Sequence, residues 1–320
     1  MCSRAQTVKL RLRYCSSTKL EEQVRGNNSL RYVDAGPIKG IEINLECFNT
    51  RLVELRLRGY RELKVVNVTA LLNMLHLKTL SLTDVENMSE ILVVVGQMTE
   101  LEYLELGNYG SVSLQQFLGT FKKLKKLRWL RLEKGGTVST NRILQEISEL
   151  PSLRVLELVN VYIKAGYISS LGLCTNLKRL LVIPNYDDEM EFTNFLVSQG
   201  AFQLKSTLKE FHWGFTSEML READVLFDDG WGLIPVGGFS YEAKEAMKYS
   251  KLVVNNRNKM DMKSRSPNVV NLTELKDGLT TCLPGMTCKI YRMPYRKTWG
   301  KSIRRPDPCA HCGDPSKHLH

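Results

Sequence analysis

An apolar residue, two variable ones, an apolar residue, one variable one and a third apolar residue recur along most of this chain. The clearest copies are Leu52-Leu55-Leu57, Leu77-Leu80-Leu82, Leu101-Leu104-Leu106, Leu127-Leu130-Leu132, Leu153-Leu156-Leu158 and Leu177-Leu180-Val182, whose starts are 25, 24, 26, 26 and 24 residues apart. Weaker copies begin at Thr7 and Leu30, and another begins at Leu208 after a gap of 31. A unit this short cannot bury its own apolar side, so a run of such units must stack, each covering the next.

Leucines two apart in each copy share one face of a strand, and the residue between them faces the other way. Between strands the apolar spacing changes to three and four, as in Leu114, Phe117, Leu118 and Phe121, and in Ile143, Leu144, Ile147 and Leu150, which is the period of a helix. The expectation is an α/β leucine-rich-repeat solenoid, a horseshoe with concave parallel strands and convex helices, over residues 1–215. Turn formers from Asp228 to Gly238 and a polar, basic stretch from Asn255 to Pro267 make 216–270 an irregular loop or linker, with one short helix over Ser240–Leu252. Leu272, Leu275, Leu279 and Leu283, the turn Pro284-Gly285 and the alternation from Cys288 to Met293 predict a cap of one helix and one strand over 271–296. Residues 297–320 are expected to be a basic, disordered tail.

The stretch Leu171-Gly172-Leu173-Cys174-Thr175-Asn176-Leu177-Lys178-Arg179-Leu180 places a cysteine three residues before the first repeat leucine. It resembles the cysteine-containing repeats of the F-box/leucine-rich-repeat proteins, and the unit length near 25 is similar. The resemblance covers roughly residues 7–215. It implies a horseshoe that holds a substrate, while an N-terminal F-box docks on the adaptor of a cullin-type ubiquitin ligase. The first 50 residues carry no F-box-like helical pattern with a Leu-Pro start.

Residues flanking the inward leucines are expected to project from the concave face and to meet a protein partner there. The candidates are Arg56, Arg58, Tyr103, Glu105, Trp129, Arg131, Glu157, Arg179, Leu181 and His212. Tyr103, Trp129, Val155 and Leu181 are read as an apolar, aromatic stack with a charged surround, the usual distribution of energy in a protein interface. The alternative is that Trp129 folds over a neighbour as ordinary packing, or that the face is covered. Asp187, Asp188, Glu189 and Glu191 are read as an acidic cluster on a loop that fills the longer gap.

No nucleophile with a partnered base, phosphate-binding glycine loop or pair of carboxylates stands out, so neither an enzyme nor a cofactor is expected. His76, between Leu75 and Leu77, reads as a packed residue. Cys309 and Cys312, followed by His318 and His320, are a candidate zinc set, with a short last loop and a terminal position against it. The formal charge is +11. From Gly278 to Pro306 there are basic residues and no acidic one, so a nucleic-acid contact through the tail is the second reading. The eight cysteines are scattered and read as reduced thiols. No apolar run approaches the roughly 20 residues that span a bilayer, and the N-terminus lacks the apolar stretch of a secretory signal. The expected location is cytoplasmic or nuclear.

Overall fold

The computed structural model describes residues 8–110, 112–113, 117–136, 139–185, 190–216, 234–235, 269–270 and 272–293. Each apolar triplet forms a strand. β1 (Lys9–Leu12), β2 (Cys15–Ser16), β3 (Tyr32–Lys39), β4 (Glu42–Asn44), β5 (Glu54–Val66) and β6 (Thr79–Val85) are followed by β7 (Tyr103–Gly107), β8 (Trp129–Glu133), β9 (Val155–Val161), β10 (Arg179–Pro184) and β11 (Glu210–Thr216). Two short strands, β12 (Ile234–Pro235) and β13 (Val269–Val270), pair antiparallel with each other. The last strand, β14 (Thr287–Met293), joins the main sheet beside β11.

That sheet has twelve strands in the order β1-β3-β5-β6-β7-β8-β9-β10-β11-β14, with β2 on β3 and β4 on β5. Its pairings are parallel, and the central ones bring equivalent leucines together: Leu80 against Leu104, Leu104 against Leu130, Leu130 against Leu156 and Leu156 against Leu180. These leucines are fully buried. The sheet does not close on itself, and the chain is an open leucine-rich-repeat solenoid.

The segments that return the chain from one strand to the next carry the helices α1 (Ser17–Val24), α2 (Met88–Val95), α3 (Thr140–Ile147), α4 (Tyr167–Gly172) and α5 (Met190–Gln203). Short 3-10 turns take their place at Leu45–Cys47, Val68–Asn73 and Phe121–Lys123. Phe117 and Phe121 therefore pack as the spacing predicts, but the described part of that segment ends in a 3-10 turn. In α3 the three-and-four spacing holds, and Ile143, Leu144 and Ile147 are buried. The gap of 31 residues is filled differently from expectation. Fourteen residues go into α5, against eight in α3 and six in α4, so a longer helix rather than a longer loop absorbs the insertion. Asp187, Asp188 and Glu189 lie outside the described residues.

One turn repeats before the strands. The first leucine of the triplet donates its N–H to the carbonyl three residues back: Leu77 to Met74 at 2.9 Å, Leu101 to Met98 at 3.2 Å, Leu127 to Leu124 at 3.0 Å, Leu153 to Leu150 at 3.3 Å and Leu177 to Cys174 at 3.1 Å. The accepting residues are all buried. Cys174 thus occupies a general apolar slot that methionine or leucine fills in other coils. His76, expected to be packed, is exposed, as is Leu75 before it, and only Leu77 enters the core.

At the far end, α6 (Leu272–Cys282) and β14 are joined through Gly285, whose φ of 81° is left-handed. Leu275, Leu279 and Leu283 are buried, and β14 runs parallel to β11 from Glu210 opposite Thr287 to Thr216 opposite Met293. The helix and strand cover the last apolar face of the stack.

Candidate functional site

In the parallel register the residue before the second apolar position of each triplet stacks on its equivalents. Tyr103 lies opposite Trp129, Trp129 opposite Val155, and Val155 opposite Arg179. The residue after it forms a second row, in which Arg56, Ser81, Glu105, Arg131, Glu157, Leu181 and His212 are successive partners. Leu181 therefore belongs beside Glu157, and Arg179 takes the place expected for it next to Val155. Tyr103, Trp129 and Val155 form an apolar cluster separate from the main core, as residues on the opposite face of the sheet must.

The second row alternates in charge. Arg56 Nε bonds Glu54 at 2.8 Å, and its guanidinium lies 3.7 Å from Glu105 and 4.5 Å from the centre of the Tyr103 ring. Ser81 donates to Glu105 at 2.9 Å. Arg131 reaches three carboxylates: Glu105 at 3.1 Å, Glu157 at 2.9 Å and Glu133 at 3.3 Å. Arg179 lies 3.8 Å from both Glu157 and Glu210, and its guanidinium is 5.4 Å from the Trp129 ring. His212 and Glu210 meet at 3.1 Å. The result is a chain of ion pairs running across the sheet from Glu54 to Glu210, ending in the hydrogen bond between Glu210 and His212.

Burial sets the protonation of this network. Desolvation opposes the charge on Arg131, but Glu133, Glu157 and Glu105 outweigh it and hold the guanidinium charged. Desolvation pushes Glu133 up to about 7, against the pull of Arg131 and with repulsion from Glu105. It also pushes the His212 imidazole down, partly offset by the hydrogen bond with Glu210, which in turn holds the Glu210 carboxyl low.

The candidates differ sharply in exposure. Trp129, Arg131, Glu157, Leu181 and His212 retain 2%, 1%, 0%, 2% and 1% of their accessible surface, and Tyr103 and Arg179 are also buried. These seven were expected to present an open surface. Instead the middle of the face is occluded, and the Trp129 ring packs 5.1 Å from Tyr103 with Val155 in the same cluster. Arg56, Arg58 and Glu105 are half-buried. Towards β1 the same face opens, with Tyr32 exposed and Arg11 exposed but paired to Asp34 at 3.0 Å.

Sequence reasoning missed Glu54, Glu133 and the buried pair of Lys134 with Asp84. Lys134 and Asp84 sit just past the last apolar position of their triplets, in left-handed backbone with φ of 57° and 54°. Asn108 and Asn160 repeat this conformation in other coils, and the period of these residues was the available clue. Cys309, Cys312, His318 and His320 lie outside the described residues, as does the basic tail beyond Met293, whereas Lys289 on β14 is exposed. Among the described residues no cluster of histidine, cysteine and carboxylate side chains is arranged to hold a metal. Among them, too, no helix is long and apolar enough to cross a membrane.

No protein-family model matches the chain, and no curated protein matches it. Among solved structures, an internalin from Listeria monocytogenes is similar, at 15% identity over 83% of this chain and 69% of that one, with a TM-score of 0.39.

Proposed function

We propose that this chain is a non-enzymatic scaffold that binds another protein through the open end of its inner face, on β1, β3 and β5. The observation that supports this is the gradient of exposure along one continuous sheet, buried at Trp129 and Arg131, half-buried at Arg56 and Arg58, and exposed at Arg11 and Tyr32. Tyrosine and arginine are the side chains that most often anchor protein interfaces. Several here are already held: Arg11 by Asp34, and Arg56 by Glu54 and the Tyr103 ring. Side chains ordered before binding lose less freedom on binding, which leaves more of the contact energy as affinity.

The resemblance of the Cys174 repeat to F-box/leucine-rich-repeat proteins extends the proposal to substrate recognition for a cullin-type ubiquitin ligase in the cytoplasm or nucleus. The slot that Cys174 fills also accepts methionine and leucine, so this extension rests on the repeat length and pattern more than on the thiol.

The test is mass spectrometry of proteins that co-purify with the tagged chain from its own cells, beside a Tyr32→Ala/Arg58→Glu variant. Loss of a specific set of proteins from the variant supports the inner-face surface; an unchanged set overturns it. Cullin-ligase subunits retained by both forms support the ligase context, and their absence from both removes it while leaving the scaffold reading intact.

A further inference from the structure

The edge where the strands begin carries a second surface. The residue after the first leucine of each triplet is stacked on its equivalents by backbone hydrogen bonds. Arg128 N–H donates to Glu102 at 2.8 Å, Arg154 to Arg128 at 2.9 Å, Lys178 to Arg154 at 2.8 Å and Lys209 to Lys178 at 2.7 Å. Four basic residues on four consecutive coils are thus fixed in a row, at the roughly 4.8 Å spacing of neighbouring strands.

The turns that lead into these strands add to it, with Lys125 and Lys205 exposed. Earlier coils neutralise the same edge internally, Lys78 with Glu102 at 2.7 Å and Lys126 with Glu100 at 2.6 Å. From Arg154 onward no basic residue of the row has such a pair among the described residues. Lys125, Lys205 and Lys209 form no ion pair among the described residues, and Lys178 Nζ reaches only the Thr207 carbonyl at 3.3 Å. Of the carboxylates near those turns, Glu146 on α3 is bound to the amides of Gly119 and Phe121, and Glu149 is exposed. Lys178 and Lys209, exposed on neighbouring coils without a carboxylate partner among the described residues, repel one another, and a polyanion laid along the row relieves that repulsion.

We propose that this edge is a docking strip for an acidic polypeptide segment lying across the coils of β8 to β11. A single-stranded nucleic acid fits less well, because its bases need open aromatic faces to stack on. Phe121 is buried, and the Phe202 ring is capped by Lys205 Nζ at 4.5 Å. Lysine predominates in the strip, and its ammonium acts as a point charge suited to single carboxylates, without the planar fork that arginine offers a phosphate. The strip is separate from the open end of the inner face, and its fate does not depend on that surface.

The experiment measures fluorescence anisotropy of a labelled oligoglutamate of about ten residues against the full chain at low and at physiological salt. The edge variant Lys178→Glu/Lys209→Glu is compared with Arg13→Glu/Lys19→Glu, an equal charge change at exposed positions elsewhere. The expected result is roughly tenfold weaker binding for the edge variant and a much smaller change for the control. Equal weakening in both, or no binding of the peptide at low salt, overturns the proposal. So does tighter binding of a labelled oligonucleotide of equal charge, lost in the edge variant, which would assign the strip to nucleic acid. If circular dichroism shows the edge variant misfolded, the milder Lys125→Gln/Lys205→Gln variant decides on the same criteria.

Discussion

Arg131 and Glu157 meet at 2.9 Å with both side chains 1% exposed, one repeat apart on adjacent strands. A pair desolvated this fully is held by its geometry, and removing Glu157 leaves buried Arg131 with the more distant Glu105 and Glu133 and takes from Arg179 one of its two carboxylates. Glu157→Ala is expected to destabilise the chain by about 3–5 kcal/mol. The double variant Arg131→Met/Glu157→Met should recover part of that loss. Thermal midpoints of the three proteins check this, and a double variant no more stable than Glu157→Ala would show that the pair is not the unit that matters.

Glu133 supplies a pH dependence of definite sign. Its folded-state carboxyl is pushed up to about 7 from an ordinary value of 4.5 by burial, with Arg131 and Lys134 opposing and Glu105 and Asp84 reinforcing the shift. A carboxyl with a raised folded pKa binds more protons folded than unfolded, so its contribution to stability is present below about 4.5 and is lost as pH rises through 7. Glu133→Gln removes the titration. Its midpoint relative to the parent chain should therefore improve from pH 5 to pH 8, by an amount equivalent to up to roughly 3 kcal/mol. The same difference at both pH values would show that Glu133 is not the group responsible.

The sheet was readable because a parallel array with one repeat length has one register, and the leucine triplets state it: Leu104, Leu130, Leu156 and Leu180 are successive partners. The other face was only half readable. That Tyr103, Trp129 and Val155 would stack follows from the period of two, but their burial does not, since a polar-apolar alternation is the same whether the polar face meets water or is closed. Placing Leu181 beside Val155 was an error of two residues along the same face of the strand, corrected by its pairing with Glu157. The ion-pair chain left a trace that could have been used, because Glu105, Arg131 and Glu157 alternate in sign at the repeat spacing. Opposite charges on neighbouring strands in register attract and like charges repel. The helix α5 was missed because the acidic start of the segment resembled a solvated loop.

Cys174 tests whether the slot before each strand is chemical or steric. Its thiol is buried, lies 3.5 Å from the Leu144 carbonyl, and is pushed up to about 12 by desolvation. A thiol in that state has almost no thiolate at neutral pH and should resist alkylation in the folded chain. Because Leu124 and Leu150 fill the same place in the two preceding coils, Cys174→Leu should cost no more than the roughly 1–3 kcal/mol of fitting extra methyl groups into a packed core. Mass spectrometry after brief alkylation and a melting curve of the variant provide the measurements. Fast modification of Cys174 in the native chain, or a large loss in Cys174→Leu, would mean that the thiol has a role the packing does not explain.

Gly110 and Gly136 follow β7 and β8, and their backbones come together where the two coils leave the sheet. A Cβ on Gly110 would lie 2.8 Å from both Cα and N of Gly136, and a Cβ on Gly136 would lie 2.8 Å from Gly110 Cα. Backbone cannot rotate aside as a long side chain can, so either alanine must push the coils apart. Gly136 carries a further demand, with a φ of 52° in the left-handed region that a Cβ disfavours. Gly136→Ala is therefore expected to lower stability by about 2 kcal/mol, and Gly110→Ala by a similar amount through contact alone. Once one alanine has separated the coils, the second meets less resistance. The double variant should then lose less than the sum of the singles, as neighbours sharing one contact do. Melting curves of the two singles and the double decide it: strictly additive losses would mean that each glycine is needed for its own backbone conformation and that the approach of the coils is incidental.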